Sequence, residues 1–487
     1  MKKVVVVGAG LGGLAAACRL AKQGLSVVML EKNDTVGGKV NVVEAGGYSF
    51  DTGASLLTMP HVLEELFEFC GQRLSDYLQL IELDPICRYF WPDGNSLDAT
   101  SDLEKSESRI ADLSPKDAAA FRRYLATSKA KFEIAERTFL AKSLPELSSM
   151  LRPSNVPELF RFMSLRTLAG YNEASFKSPK LVQLFNRFAT YNGSSPYKTP
   201  AAFSLIPWAE FGLRAWYPAG GVYAIVRALE KLALELGVRI FTGTEVQDIL
   251  TRDGRVTGVK AVGETFGADA VISNADAVET HRSLLNSHKY QDREPSCSGF
   301  VMLLGVNKKF EKLSHHNIFF SDDSKVEFEE IFRSKRPATD PTIYVCATSK
   351  TDPTQAPDGC ENLFVLVNAP YLSRRTDWNK EMRPYRDFLM TRLEEVGLDG
   401  IGDAVEYEKI ITPADFKSRY RANRGSIYGI SSHGMLSAFK RVPNKSEDFE
   451  NLFFVGGAAH PGGGIPIVLL SAAISSRLLV ESVGKSE

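Results

Sequence analysis

An α/β fold built on a parallel, dinucleotide-binding sheet is expected for this chain. Three observations predict it. Residues 4–13 read VVVVGAGLGG, an apolar β-branched run that stops abruptly in glycines. A helix-like stretch, LAAACRLAKQG, comes next, and then a second apolar run, SVVMLE, that ends in Glu31. About 450 residues later, NLFFVGGAAHPGGGIP repeats the strand and glycine turn ahead of a helical IVLLSAAISSRLLVESV.

The first unit can be justified residue by residue. Gly8 permits a tight turn, and Gly10 has no Cβ and lets the backbone approach a pyrophosphate. Gly13 allows the helix to pack closely on the strand, and Gly12 completes the glycine cluster. The helix N-terminus offers free N–H groups and partial positive charge to an anion. Glu31 lies 21 residues after Gly10, close to the spacing of about 20 expected for a ribose-binding acid. The bland alternative is a tight βα turn with no ligand, and the accompanying strand, helix and acid outweigh it. Lys2 and Lys3 ahead of an apolar run imitate a secretory leader. The glycines interrupt that run, and no convincing cleavage site follows.

At 487 residues the chain can bury two or three domains' worth of core. Its 58 basic and 59 acidic side chains give a net charge of −1, so no global case for nucleic acid exists. Six cysteines lie at 18, 70, 87, 297, 346 and 360, none in C-x-x-C, so no metal site or redox pair is expected. Cys18 reads as buried packing in the first helix. A reducing, cytoplasmic compartment fits this usage. No transmembrane helix is expected, because the longest uncharged stretch, 451–476, contains HPGGGIP, which breaks a spanning helix.

Up to about residue 95 the text is strand and loop with one helix, HVLEELFEFC, and from about 101 to 190 it turns helical. Ser114-Pro115-x-Asp117 reads as an N-cap, a first-turn proline and a first-turn acid. Ser178-Pro179 starts another helix, with Leu181, Leu184, Phe185 and Phe188 on one face. That stripe is either core or the wall of an apolar cavity, with core favoured. From 218 the text is α/β again. PAGGVYAIVRALEKLALELG is an amphipathic helix, turns fall at Thr242-Gly243 and Asp253-Gly254, and ADAVISNAD is a buried strand ending in a polar turn. Residues 299–307, 342–349 and 362–369 look like strands of a second sheet. A simple NAD enzyme does not need the second glycine turn. A flavin enzyme can use it, because the isoalloxazine ring lies far from the pyrophosphate. A helix N-terminus there would stabilise the anionic reduced ring.

Taken in order, several segments are specific as a set. They are GAGLGGL at 8–14, LEKNDTVGGKV at 30–40, GYSFDTGASLLTMP at 47–60, NGSSPYKTPAAFSLI at 192–206, YPAGGVYAIVRAL at 217–229, ADAVISNAD at 268–276, TDPTQAPDG at 351–359 and VGGAAHPGGGIP at 455–466. On these the chain resembles the bacterial-type phytoene desaturases, FAD-dependent carotenoid desaturases within the amine-oxidase-like flavoproteins. The resemblance implies a Rossmann-like FAD-binding domain with an inserted α+β substrate domain of mixed sheet plus helices. It divides the chain into a discontinuous FAD domain, 1–95, 218–280 and 425–487, and a substrate and membrane-associated domain, 96–217 and 281–424.

It implies FAD with Gly8, Gly10, Gly12, Gly13 and Glu31 at the ADP half. Gly37, Gly38 and Lys39 would lie near the ribityl and phosphate region, and Val246 at the adenine through its backbone. The segment that includes Gly456, Gly457, Gly464 and Ile465 would lie beside the flavin ring. The ending departs from the commonest phytoene desaturase pattern at Gly457-Ala458-Ala459 and Ile467-Val468-Leu469. With RGSIYGISSHGMLSAFKR at 424–441, it looks more like desaturases that act later, on hydroxylated or 3,4-positions.

The implied reaction introduces a double bond into a carotenoid (phytoene, neurosporene or a hydroxylated derivative) by hydride transfer to flavin N5. It needs positioning and water exclusion more than a strong nucleophile. His460 is a weak candidate for the base, with a structural role in the flavin turn as the alternative. Asp51 is weaker still and reads better as a cap. Asp51-Thr52-Gly53 imitates an aspartic protease, but the second such triplet is missing. The competing functions are a related flavin oxidase, acting on an amine or a carotenoid terminal methyl, and a non-catalytic lipid escort. A long isoprenoid gains about 0.8 kcal/mol per buried CH₂, so the enzyme is expected to dock peripherally on a membrane. Residues 114–142 carry seven basic and three acidic side chains, 7 − 3 = +4, with Phe121, Phe132 and Phe139 interleaved. That stretch is either a lipid-facing surface or an ordinary solvated helix face. Oligomeric state is left open.

Overall fold

The computed structural model describes residues 1–147 and 166–484. The β-branched run folds as β1 (Lys3–Val7), the glycine turn opens α1 (Leu11–Lys22), and the second apolar run forms β2 (Ser26–Leu30). Both strands are almost wholly buried because they lie inside a five-stranded parallel sheet. In that sheet β1 pairs on one side with β2 (Val4 opposite Val27) and on the other with Ala270–Ser273 (Val4 opposite Ala270). Leu452–Phe454 and Arg239–Phe241 are the edge strands. Segments from both ends of the chain therefore share one sheet. The hairpin Val246–Arg252 and Arg255–Ala261 turns at Asp253-Gly254, both with positive φ, as a two-residue hairpin loop needs.

A second, seven-stranded mixed sheet contains Ser298–Val306, next to one edge strand and buried along its whole length. Its expected strands appear at Ser298–Val306, Ile343–Cys346 and Glu361–Ala369. Cys87–Phe90 and Ser96–Ala99 also belong to this sheet, because Cys87–Phe90 runs parallel to His316–Phe319. Cys87–Phe90, inside the segment 1–95 expected in the FAD domain, thus pairs in the second sheet. Short strands that pair only with distant sequence leave no local signal of which sheet they join.

Three helical expectations are modified. Pro115–Asp117 forms a single 3₁₀ turn, and the long helix runs from Ala118 to Arg137. Asp117 accepts the backbone N–H groups of Lys177 and Ser178 at 2.8 Å each, so it ties two segments together instead of capping its own helix. Phe121 and Phe132 of that helix are core residues, Lys131 is buried with its Nζ 2.7 Å from Ser204 Oγ, and Arg122 pairs with Glu107 at 2.6 Å. The expected interleaving of rings and cations on one lipid-facing surface is therefore not formed there. The third change concerns the last helix, Ile465–Gly484. The glycines of HPGGGIP end before it and Ile465-Pro466 open it, yet its 20 residues, with mean hydropathy 1.6, are long and apolar enough to cross a membrane. In this fold it packs along α1. Its buried Ser471 and Ser475 donate to the carbonyls of His460 (2.8 Å) and Phe454 (2.6 Å).

Candidate active site

A cavity of about 590 Å³ is lined by residues of both sheets and by both glycine turns. Gly8 has φ +94° and its N–H donates to the Leu30 carbonyl at 2.8 Å, which ties the turn to β2. A β-carbon on Gly13 would lie 2.2 Å from the Gly8 carbonyl oxygen, so only glycine lets the helix start that close to the strand. Gly37 docks on this turn, its N–H 2.7 Å from the Ala9 carbonyl, and a β-carbon on Gly38 would sit 3.2 Å from Gly10 Cα.

One residue organises both turns. A β-carbon on Gly10 would meet Asn274 Nδ2 at 2.7 Å, one on Gly12 Asn274 Oδ1 at 2.7 Å, and one on Gly456 the same oxygen at 2.8 Å. Asn274 follows the strand Ala270–Ser273 and lines the cavity. In the sequence it is only one residue of a polar turn; the signal for its role is a polar residue directly after a buried parallel strand, where ligands of such sheets bind.

Glu31 is buried and lines the cavity. Its Oε2 accepts the Ala9 N–H at 2.8 Å, and its Oε1 accepts the Asn33 backbone N–H at 2.9 Å and Nδ2 at 2.8 Å. A carboxylate has about four acceptor positions, so it keeps capacity for a hydroxyl. Val246, at the start of its strand, lies on the same cavity wall. Lys39 is half-buried, donates to the Ile427 carbonyl at 2.9 Å, and burial holds its ammonium below the usual range. Gly456, Gly457, Gly464 and Ile465 also line the cavity, the last of them where the helix Ile465–Gly484 begins.

Asp51 is a cap. Its two oxygens accept the backbone N–H groups of Val222 (2.9 Å) and Tyr223 (3.0 Å) at the start of the helix Tyr223–Glu235. His460 is fully buried and is not among the cavity-lining residues. Its Nε2 donates to the Lys142 carbonyl at 2.8 Å, its ring meets Phe139 edge-on at 4.7 Å, and burial pushes it down to about 4.

The stripe Leu181, Leu184, Phe185 and Phe188 is core. The other face of that segment, Gln183, Asn186, Arg187 and Thr190, lines the cavity at helical spacing. Arg187 is held there by Tyr89 OH at 2.7 Å and by Glu210 at 3.4 Å, and Glu210 also accepts from Tyr191 OH. Elsewhere the wall is mainly apolar, with Leu205, Ile206, Val301, Ile318, Phe320 and Leu366. His315, His316 and Cys346 are also gathered, one ligand-type atom of each within 4.8 Å of the others and all buried. No spacing in the sequence signals this cluster, because Cys346 reaches the pair through strand pairing opposite His316. Burial holds both imidazoles well below their usual range, and hydroxyls of Thr351 and Tyr344 engage their Nδ1 atoms.

The glycine cradle, the Glu31 carboxylate and the distant helix start fit a long two-headed cofactor. Fold and site together define the class of dinucleotide-dependent oxidoreductases. The chain belongs to the family of flavin containing amine oxidoreductases, whose sequence pattern matches residues 11–480. It is 39% identical over 481 residues to a 4,4'-diapolycopene oxygenase of Methylomonas, covering 97% of each chain. It is 38% identical over 485 residues to a 1-hydroxycarotenoid 3,4-desaturase of Flavobacterium, covering 98% of this chain and 99% of that one. Among solved structures, an oxidoreductase from Methanosarcina mazei superposes with a TM-score of 0.66 at 18% identity, over 97% of this chain and 99% of that one. The protein is an FAD-dependent oxidoreductase of the carotenoid desaturase-like group.

Proposed function

We propose that the protein introduces double bonds into a linear carotenoid. The observation that carries this reading is the cavity. It runs from the two glycine turns to a mainly apolar wall that includes Leu205, Ile206, Val301, Ile318 and Phe320. Such a wall holds a polyene and keeps water from it. Desaturation removes a hydride and a proton from neighbouring carbons, and FAD, when bound, supplies the two-electron acceptor. The chain's own residues position and shield. Asp51 anchors the helix Tyr223–Glu235, and Tyr223 OH donates to the Val36 carbonyl at 3.2 Å, beside Gly37. Lys39 draws the segment at Ile427 toward the same place. The start of the helix Ile465–Gly484 directs partial positive charge at the cavity, where reduction adds negative charge.

The second reading, oxidation of a terminal methyl, is supported by the likeness to a diapolycopene oxygenase. The two differ in product. The test is incubation of the FAD-loaded protein with linear carotenoids in vesicles, once anaerobically and once in air, followed by pigment analysis. Bleaching of the flavin with a product two hydrogens lighter supports desaturation. A product that carries new oxygen, formed only in air, supports the oxygenase. An unchanged flavin with every carotenoid sinks both.

The same proposal includes a cytoplasmic enzyme that docks peripherally on a membrane. Leu436 and Phe439 are 53% and 41% exposed. Phe439 meets Phe139 edge-on at 6.2 Å, and Phe139 and Ala438 line the cavity. An exposed apolar pair at the cavity wall, with exposed Lys440 beside it, suits entry of a lipid-borne chain.

A further inference from the structure

Most of the cavity wall is apolar, and Glu327 is an exception to it. Glu327 lies in the short helix Ser324–Glu329, is 2% exposed, and lines the cavity. Its Oε2 is fixed by Thr342 Oγ1 at 2.8 Å and Ser321 Oγ at 3.2 Å, whereas its Oε1 has no hydrogen-bond partner. Of the other buried glutamates, Glu210 is paired with Arg187, Glu330 with Arg336, Glu361 with Lys350, and Glu279, whose Oε1 also lacks a hydrogen bond, with Arg282; both oxygens of Glu31 accept hydrogen bonds. No cation is paired with Glu327 among the described residues.

A buried carboxyl oxygen without a partner is costly, and a structural cap would leave none. The position is also braced. Gln183 Nε2 donates to the Ser321 carbonyl at 2.8 Å and to Ser324 Oγ at 2.9 Å, so the helix with Glu327 is pinned to the cavity's polar face. That face continues through Asn186, Arg187 and Thr190. A polyene that is hydrocarbon to its end leaves all of this unmatched. We propose that Glu327 recognises a hydroxyl group carried by the polyene substrate, the hydroxyl donating to the free Oε1. Burial lifts the carboxyl to about 7, and both of its protonation states can accept that hydrogen bond. Glu327 is thus a specificity-determining residue, and the inference rests on the carotenoid reading above.

The test uses the full-length, FAD-loaded protein and two linear carotenoids of equal length, one a hydrocarbon and one with a terminal hydroxyl, in phosphatidylcholine vesicles. Flavin bleaching is followed anaerobically for wild type, Glu327→Ala and Glu327→Gln, with flavin content and Tm recorded for each. Wild type is expected to favour the hydroxylated chain by about ten- to a hundredfold, mainly through KM. Glu327→Ala should abolish that preference by weakening the hydroxylated chain alone, and Glu327→Gln, which keeps an acceptor, should restore most of it. Equal bleaching by both chains in wild type, or an equal loss for both in Glu327→Ala, overturns this inference and leaves the carotenoid reading standing. Bleaching by neither chain in wild type overturns the carotenoid reading, and this inference with it.

Discussion

Gly12 and Gly456 pack backbone against backbone, although they lie 456 − 12 = 444 residues apart in the chain. A β-carbon on Gly12 would stand 3.1 Å from Gly456 Cα and 3.1 Å from Val468 Cγ1. The two glycine turns are therefore one piece of structure with a shared clearance. Gly12→Val should push them apart, at a cost of about 1–3 kcal/mol. The expected result is a lower Tm together with a fall in flavin absorbance per protein. Full flavin occupancy in this variant would show that the contact does not shape the cofactor site.

The pair of Arg187 and Glu210 bears on stability as well as on the cavity. Glu210 is buried and Arg187 nearly so, at 2% and 11% side-chain exposure; Tyr89 OH accepts from Arg187 and Tyr191 OH donates to Glu210. Removing the cation alone strands a buried carboxylate. Arg187→Met should cost about 3–5 kcal/mol, and the double change Arg187→Met with Glu210→Leu should recover much of it. Chemical denaturation of the three proteins measures this, and equal stability of single and double variants would contradict it.

These two relationships show how far the sequence could be read. The glycines, Glu31 and the strands of the parallel sheet were legible because each has a local cause: a turn, a close approach, a β-branched run. Asn274 was visible as a residue but not as the hinge between Gly10, Gly12 and Gly456, since that role exists only once strands from both chain ends are neighbours. The role of the helix face at Gln183, Asn186, Arg187 and Thr190 is hidden in the sequence for a similar reason. Periodicity shows which face is apolar, and the apolar face went to core. Whether the polar face meets solvent or a cavity is decided by what packs over it, here Glu210, Phe320 and Glu327 among others.

His460 shows the same limit in a candidate catalytic group. Its ring is committed to the Lys142 carbonyl and lies outside the cavity wall, so His460→Gln, which keeps a donor, should change the rate of flavin reduction by less than about threefold. General-base catalysis is worth about a hundredfold or more, and a loss of that size would reinstate it as the base. Its titration predicts a stability effect. Burial lowers it from 6.5 to about 4, so below 6.5 the unfolded chain binds a proton that the folded one does not. Folded-state stability should therefore fall as pH drops from about 6.5 to 4, by about 3 kcal/mol from this group. His281, also lowered to about 4 by burial, acts in the same direction. Urea titrations at pH 7 and pH 5 should give a smaller difference for His460→Gln than for wild type.

The exposed pair Leu436 and Phe439 separates membrane docking from mere solubility of the substrate. If the protein takes its polyene from a bilayer, these side chains insert beside the cavity wall at Ala438 and Phe139. Each buried large apolar side chain is worth about 1.5–3 kcal/mol, so replacing both with serine should weaken vesicle binding by at least about tenfold. Flavin content and Tm should not change, because neither residue touches the cofactor turns. Activity should drop with substrate in vesicles and persist with the same substrate in detergent micelles. Unchanged vesicle binding in the double variant would move the docking surface elsewhere on the protein. A matching loss in micelles would instead place the pair in the catalytic path, so the micelle assay distinguishes delivery from chemistry.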